Sequence, residues 1–168
     1  MKWVETDLEN IRLATWADLE LMLAWRGSSI SMQDAITNEF LHHQLGLCQI
    51  LLAFSKENEL IGTVQLRHEH ADPDFCNEKS AYVQALKVRN DVLRQGVATR
   101  LMNSLEQYAN NRGIERLTLM VESDNEPAFG LYQKLGFCTF KTAFWMWDGK
   151  EFPTICLEKH LTKNVTKS

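Results

Sequence analysis

No apolar run in the 168 residues approaches the roughly 20 that a membrane-spanning helix needs, and the opening MKWVETDLEN lacks the apolar core of a signal peptide. The expectation is a cytoplasmic chain with no membrane partner. Cysteine is sparse: Cys48, Cys76, Cys138 and Cys156 stand far apart with no CxxC pair. That spacing argues against a disulfide framework and leaves reduced thiols acting as small apolar fillers. Neither sign of charge dominates, with a net charge of −4 and a pI near 5.7, which argues against broad nucleic-acid affinity. No repeat or low-complexity linker divides the chain. Apolar residues make up 45% and charged ones 24%, the balance of a chain that buries a core. The length suits one domain, taken as residues 1–163, with a polar tail over 164–168.

Apolar spacing orders the elements. Ile11 to Ala14 reads as a strand, followed by a helix with Trp16, Leu19, Met22 and Leu23 on one face and Thr15 with Asp18 at its start. Ser31 with Asp34 suggests the cap of a second helix ending near Gly46. Leu47–Phe54 and Leu60–Arg67 form a hairpin around the polar KENE, residues 68–80 make a polar loop, and Tyr82–Val88 returns as a strand. Val97, Leu101, Leu105 and Tyr108 then mark a helix that Gly113 stops, and Arg116–Val121 is the next strand. Pro127 opens a last helix bearing Ala128, Leu131, Tyr132 and Leu135, closed by Gly136 and Phe137. A final pair of strands turns at Asp148-Gly149. The predicted order is β1-α1-α2-β2-β3-β4-α3-β5-α4-β6-β7: an α/β domain with a central mixed, mostly antiparallel, seven-stranded sheet and about four flanking helices.

LRQGVATRL, residues 93–101, places Gly96 and Ala98 where a helix begins. A helix N-terminus offers unpaired amides and partial positive charge, so small residues there let an anion approach. Glycine at a helix start is common, however, and the run has neither GxGxxG nor a P-loop lysine. Locally, a structural helix start and an anion site both fit.

DNEPAFGLYQKLGF, residues 124–137, carries Asn125, Ala128, Leu131, Tyr132, Gly136 and Phe137 at fixed offsets after a strand. With YVQALKV and the glycine loop upstream, it resembles the GCN5-related N-acetyltransferase (GNAT) family, specifically over residues 82–137. The resemblance implies acetyl-coenzyme A as cosubstrate and no metal. It implies that the backbone of Leu86, Lys87 and Val88 binds the pantetheine arm and the thioester carbonyl. The amides of Arg94, Gln95, Gly96, Val97, Ala98 and Thr99 would cradle the pyrophosphate, and Asn125 would contact the cofactor or cap its helix. Tyr132 falls where the family places the tyrosine that protonates the departing thiolate. Leu93 departs from the pattern, which has Gln or Arg there, so a side-chain donor is lost and Arg94 is left to supply charge. The implied reaction is direct transfer to a primary amine of a small molecule or peptide.

A base for that amine is less legible. Gln84, Ala85 and Met120 stand where relatives often carry acids, leaving Glu122, Asp124, His68, Glu69, His70 and Glu78, each also readable as surface charge. His68-Glu69-His70 with Asp72 and Asp74 imitates a metal site, but a polar loop fits better. Phe144, Trp145 and Trp147 read as a strand half in the core, with an acceptor pocket or the face of a homodimer as alternatives. A noncatalytic acyl-coenzyme A sensor remains the alternative function.

Overall fold

The computed structural model describes residues 8–162; the polar tail expected over 164–168 lies outside them. The elements are β1 (Leu8–Leu13), α1 (Leu19–Arg26), α2 (Ile30–Gln44), β2 (Cys48–Ser55), β3 (Leu60–Arg67), β4 (Ser80–Val88), α3 (Val97–Asn111), β5 (Arg116–Glu122), α4 (Glu126–Lys134), β6 (Cys138–Trp147) and β7 (Lys150–His160). Their order is the predicted one. The strands form one sheet in the order β1-β2-β3-β4-β5-β7-β6. β1–β2, β2–β3, β5–β7 and β6–β7 pair antiparallel, and β4–β5 pairs parallel over Ser80–Tyr82 and Arg116–Thr118. A parallel pair needs a long crossover to return the chain in the same direction, and the connection through α3 supplies it.

Two compact units divide the chain, residues 1–67 with 85–105 and residues 68–84 with 106–168. In the first, β2 is almost wholly buried. Cys48, Ile50, Leu52 and Phe54 form a core with Met22, Ile36 and Phe40 of α1 and α2. The opposite face carries Ala53 paired with Gly62 of β3. A Cβ on Gly62 would lie 2.8 Å from Leu101 Cδ1 and 3.0 Å from Val97 Cγ1. The missing side chain therefore lets the start of α3 seat against the sheet.

The entrance to α1 is held by a polar hub. The Arg12 guanidinium donates to both Asp18 carboxylate oxygens, at 2.8 and 2.9 Å, and the Thr15 amide donates to the same group at 2.7 Å. Asp18 is only 4% exposed, and its carboxyl is held below its ordinary value chiefly by the Arg12 hydrogen bond, against burial. Thr15 and Asp18 thus start a single 3-10 turn (Trp16–Asp18) ahead of α1 proper. The second cap is corrected: Ser29, with extended backbone, accepts from the Met32 amide at 3.2 Å. Ser31 and Asp34 already lie inside α2.

In the second unit the 68–80 loop is more than polar linker. Phe75 is 1% exposed and packs with Tyr82 and Cys156. Thr118 Oγ1 donates to the Phe75 carbonyl, Arg116 to the Asp74 carbonyl, and Lys141 Nζ to the Asp72 and Asp74 carboxylates. One buried ring and these ties hold a segment whose composition signals only solvent. All four cysteines are free thiols, with Cys48 and Cys156 buried.

Candidate active site

In the first unit the expected cofactor residues occupy the end of β4 and the loop into α3. Ala85 has φ +55°, a left-handed conformation that is uncommon for a side chain bearing Cβ and breaks the strand's alternation. The buried run Ser80–Val83 gives way there to half-buried Gln84, Leu86 and Val88, with Lys87 exposed. After β4, the Arg89 amide donates to the Ile61 carbonyl at 2.8 Å, anchoring the loop to β3. A 3-10 turn, Asn90–Val92, leads to exposed Leu93 with φ −61°. Arg94 has φ +65° and Gly96 φ +82°. Left-handed residues that alternate with ordinary ones turn successive amides toward one point, the concavity that binds anions. Beyond Gly96 and the two residues adjoining it, no heavy atom lies within 4 Å of where a Gly96 Cβ would stand, so the space beside the loop is open. Val97 is buried, α3 begins there, and the Arg100 amide donates to the Gly96 carbonyl at 3.1 Å. Pyrophosphate chemistry fits this donor set: main-chain amides, a helix start and an arginine without an intruding side chain.

In the second unit α4 carries Asn125 and Tyr132. Asn125 caps the helix, its Oδ1 accepting from the Ala128 amide at 3.2 Å, with Pro127 in the first turn. Gly136, at φ +95°, ends the helix, and the Phe137 amide returns to the Tyr132 carbonyl at 3.0 Å. The two rings meet edge-on at 5.8 Å. The Tyr132 phenol is pushed up to about 12 by burial, so it keeps its proton at neutral pH. Tyr82 is likewise pushed up to about 12, first by burial and then by Cys156, Tyr132 and Cys76. His70 stands 4.5 Å from both Tyr82 and Phe75, and its Nδ1 accepts from the Asp72 amide at 3.0 Å.

Sequence reasoning missed three features here. Arg94 and Ala85 adopt conformations that composition assigns to glycine or asparagine, and no residue signal marks them. Tyr82 looks like an ordinary strand residue until the fold sets it near Tyr132. Of the base candidates, Glu69, Glu78, Glu122 and Asp124 are exposed. His68 is held below its usual value by burial and by Arg112. The aromatic run is also corrected: Phe144, Trp145 and Trp147 are exposed, not half in the core, because β6 is the last strand of the sheet.

The architecture defines an α/β protein built on one mixed sheet, with left-handed Arg94 and Gly96 in the loop at the start of its crossover helix. A model of the acetyltransferase (GNAT) family matches residues 10–137, and the chain belongs to that family. Over 63 residues it is 35% identical to N-alpha-acetyltransferase 30 of Schizosaccharomyces pombe, a match covering 38% of this chain and 42% of that protein. The matched stretch is therefore less than half of the curated relative. Among solved structures, ribosomal-protein-alanine N-acetyltransferase from Brucella melitensis is 20% identical with a TM-score of 0.73, covering 91% of this chain and 100% of that one. A spermidine N-acetyltransferase chimera from Vibrio cholerae and hSSAT is 16% identical with the same TM-score, 0.73, covering 92% and 96%. At these identities the structures share the fold alone.

Proposed function

We propose that the chain is an acetyl-coenzyme A-dependent N-acetyltransferase that moves the acetyl group directly to a primary amine of a small molecule or peptide, with no metal. The observation that carries this reading is the loop with left-handed Arg94 and Gly96 and open space before α3, in a chain of the GNAT family. Acetyl-coenzyme A supplies the activated thioester. The amides of Arg94 to Thr99 hold its pyrophosphate, and Arg94 adds the charge that Leu93 does not. The main chain of Leu86, Lys87 and Val88 takes the pantetheine arm in the manner of an added strand, and an amide there donates to the carbonyl oxygen as negative charge develops. Asn125 contacts the cosubstrate while it caps α4.

Tyr132 donates its phenolic hydrogen to the departing sulfur. A thiol near 8.5 leaves readily, so a phenol near 12 serves as a hydrogen-bond donor to the thiolate rather than as a strong acid. The acceptor amine reacts in its neutral form, so an ordinary alkylamine near 10.4 first gives a proton to a base or a water chain leading to solvent. A cytoplasmic location and independence of nucleic acid and membrane complete the reading.

The test is a thermal shift with acetyl-coenzyme A, coenzyme A and ATP, followed by turnover on small amines, polyamines and peptides with free N-termini. Both coenzymes raise the melting temperature and ATP does less, since a ligand that binds only the native state stabilises it. No shift with either coenzyme overturns the proposal. Binding without turnover on any amine supports the sensor reading instead.

A further inference from the structure

Among the described residues, β6 has only β7 as a neighbour, so its outer edge carries unpaired backbone groups. Edge strands are normally blunted by charge, proline or brevity, because an unpaired edge accepts another strand. Here the edge is ten residues long, and Thr142-Ala143-Phe144-Trp145-Met146-Trp147 holds no charge and no proline. Phe144 is 67% exposed, Trp145 41%, Met146 55% and Trp147 64%. Alternate residues face opposite ways, so both faces of the strand present large apolar side chains. Trp145 and Trp147 stack at 5.6 Å and an interplanar angle of 21°, with Phe152 6.3 Å from Trp145 on the paired strand.

We propose that the β6 edge is a homodimer interface, in which β6 of a second copy pairs antiparallel with this one and continues the sheet. A twofold axis perpendicular to the sheet sets each residue opposite one on the same face. Centred on Phe144, it pairs Phe144 with itself, Ala143 with Trp145 and Thr142 with Met146. Centred on Trp145, it pairs Trp145 with itself, Phe144 with Met146 and Ala143 with Trp147. Neither register opposes like charges, and both place aromatic side chains across the new ladder. The exposed parts of the four large side chains amount to roughly 500 Å² per protomer. That is about 1,000 Å² for the pair, the lower bound of a specific interface, so the dimer is concentration-dependent.

A lipid surface suits this feature less well. Asp148 and Glu151 sit at the hairpin tip beside Trp147 and Lys150, and tip-first insertion would carry both carboxylates toward hydrocarbon. The chain's net charge of −4 also disfavours anionic membranes.

The inference is independent of acetyl transfer, and the full chain tests it. Sedimentation velocity over a concentration series gives a wild-type mass rising from one chain to two and no further. Phe144→Lys and, on the other face, Trp147→Lys each weaken association at least about tenfold. Circular dichroism and melting temperature establish that the variants fold; Phe144→Thr and Trp147→Thr replace any that does not, with the same expected direction. A wild type that stays monomeric overturns the proposal, as does a dimer indifferent to both variants or growth beyond two chains. A monomer that instead co-sediments with phosphatidylcholine or phosphatidylserine vesicles, or holds a peptide at this edge, also overturns it.

Discussion

Tyr132 illustrates how environment alters a role that residue type alone suggests. As an ordinary phenol near 10 it would be a modest acid; half-buried beside Phe137 and pushed up to about 12, it becomes a group that does not ionise in the working range. Tyr132→Phe keeps the ring and removes the donor. The expected outcome is a fall in kcat of about 10²-fold, at the low end for a general acid because the thiolate already leaves readily. Coenzyme binding measured by thermal shift stays unchanged. A kcat equal to wild type would remove Tyr132 from the chemistry. The position of this tyrosine was readable from the spacing between Asn125 and Phe137, since helix periodicity fixes what shares a face. Its acidity was not readable, because the burial that raises it is set by the tertiary fold and not by the residues beside it in sequence.

At the scale of elements, the loop before α3 depends on three backbone decisions of which only one is written in residue type. Gly96 at φ +82° uses the freedom glycine has. Arg94 at φ +65° and Ala85 at φ +55° occupy the same region at a cost of about 1 kcal/mol or more each. Gly62 supports the arrangement from below by admitting Val97 and Leu101 against β3. Gly96→Glu combines a strained φ with a carboxylate at the proposed anion site, so loss of measurable coenzyme binding is expected by calorimetric titration. Leu93 has ordinary φ and is exposed; Leu93→Arg therefore restores a donor without strain and leaves binding intact or tighter. The reverse pair of results would contradict the assignment of the loop. The element boundaries show the same division. Gly113 and Gly136 stop helices where their sequence positions say they should. The start of α2 moved from Ser31 to Ser29, because both serines suit a cap and only the chain path selects one.

For the whole molecule, the two raised tyrosines tie stability to alkaline pH. In the folded chain Tyr82 and Tyr132 hold their protons up to about 12, whereas an unfolded tyrosine releases its proton near 10. Below about pH 10 both states are protonated and this contribution is complete. As pH rises from about 10 to about 12 the unfolded chain binds fewer protons than the folded one, so stability falls, by up to about 1.4 kcal/mol per pH unit for each tyrosine. Urea midpoints from about pH 9 to pH 11 should decline, and Tyr132→Phe should make the decline shallower; an unchanged slope would show that Tyr132 is not buried as described. Composition and periodicity alone determined that the chain builds one α/β sheet in this element order. The offsets from Gly96 to Phe137 alone pointed to the family. Both are local properties, carried by residues close in sequence that share a helix face, a strand or a turn. The fold alone decided that Phe75 is buried in a polar loop and that Phe144 to Trp147 face solvent. Those outcomes depend on which strand ends the sheet and which distant groups meet, and no short stretch of sequence encodes that adjacency.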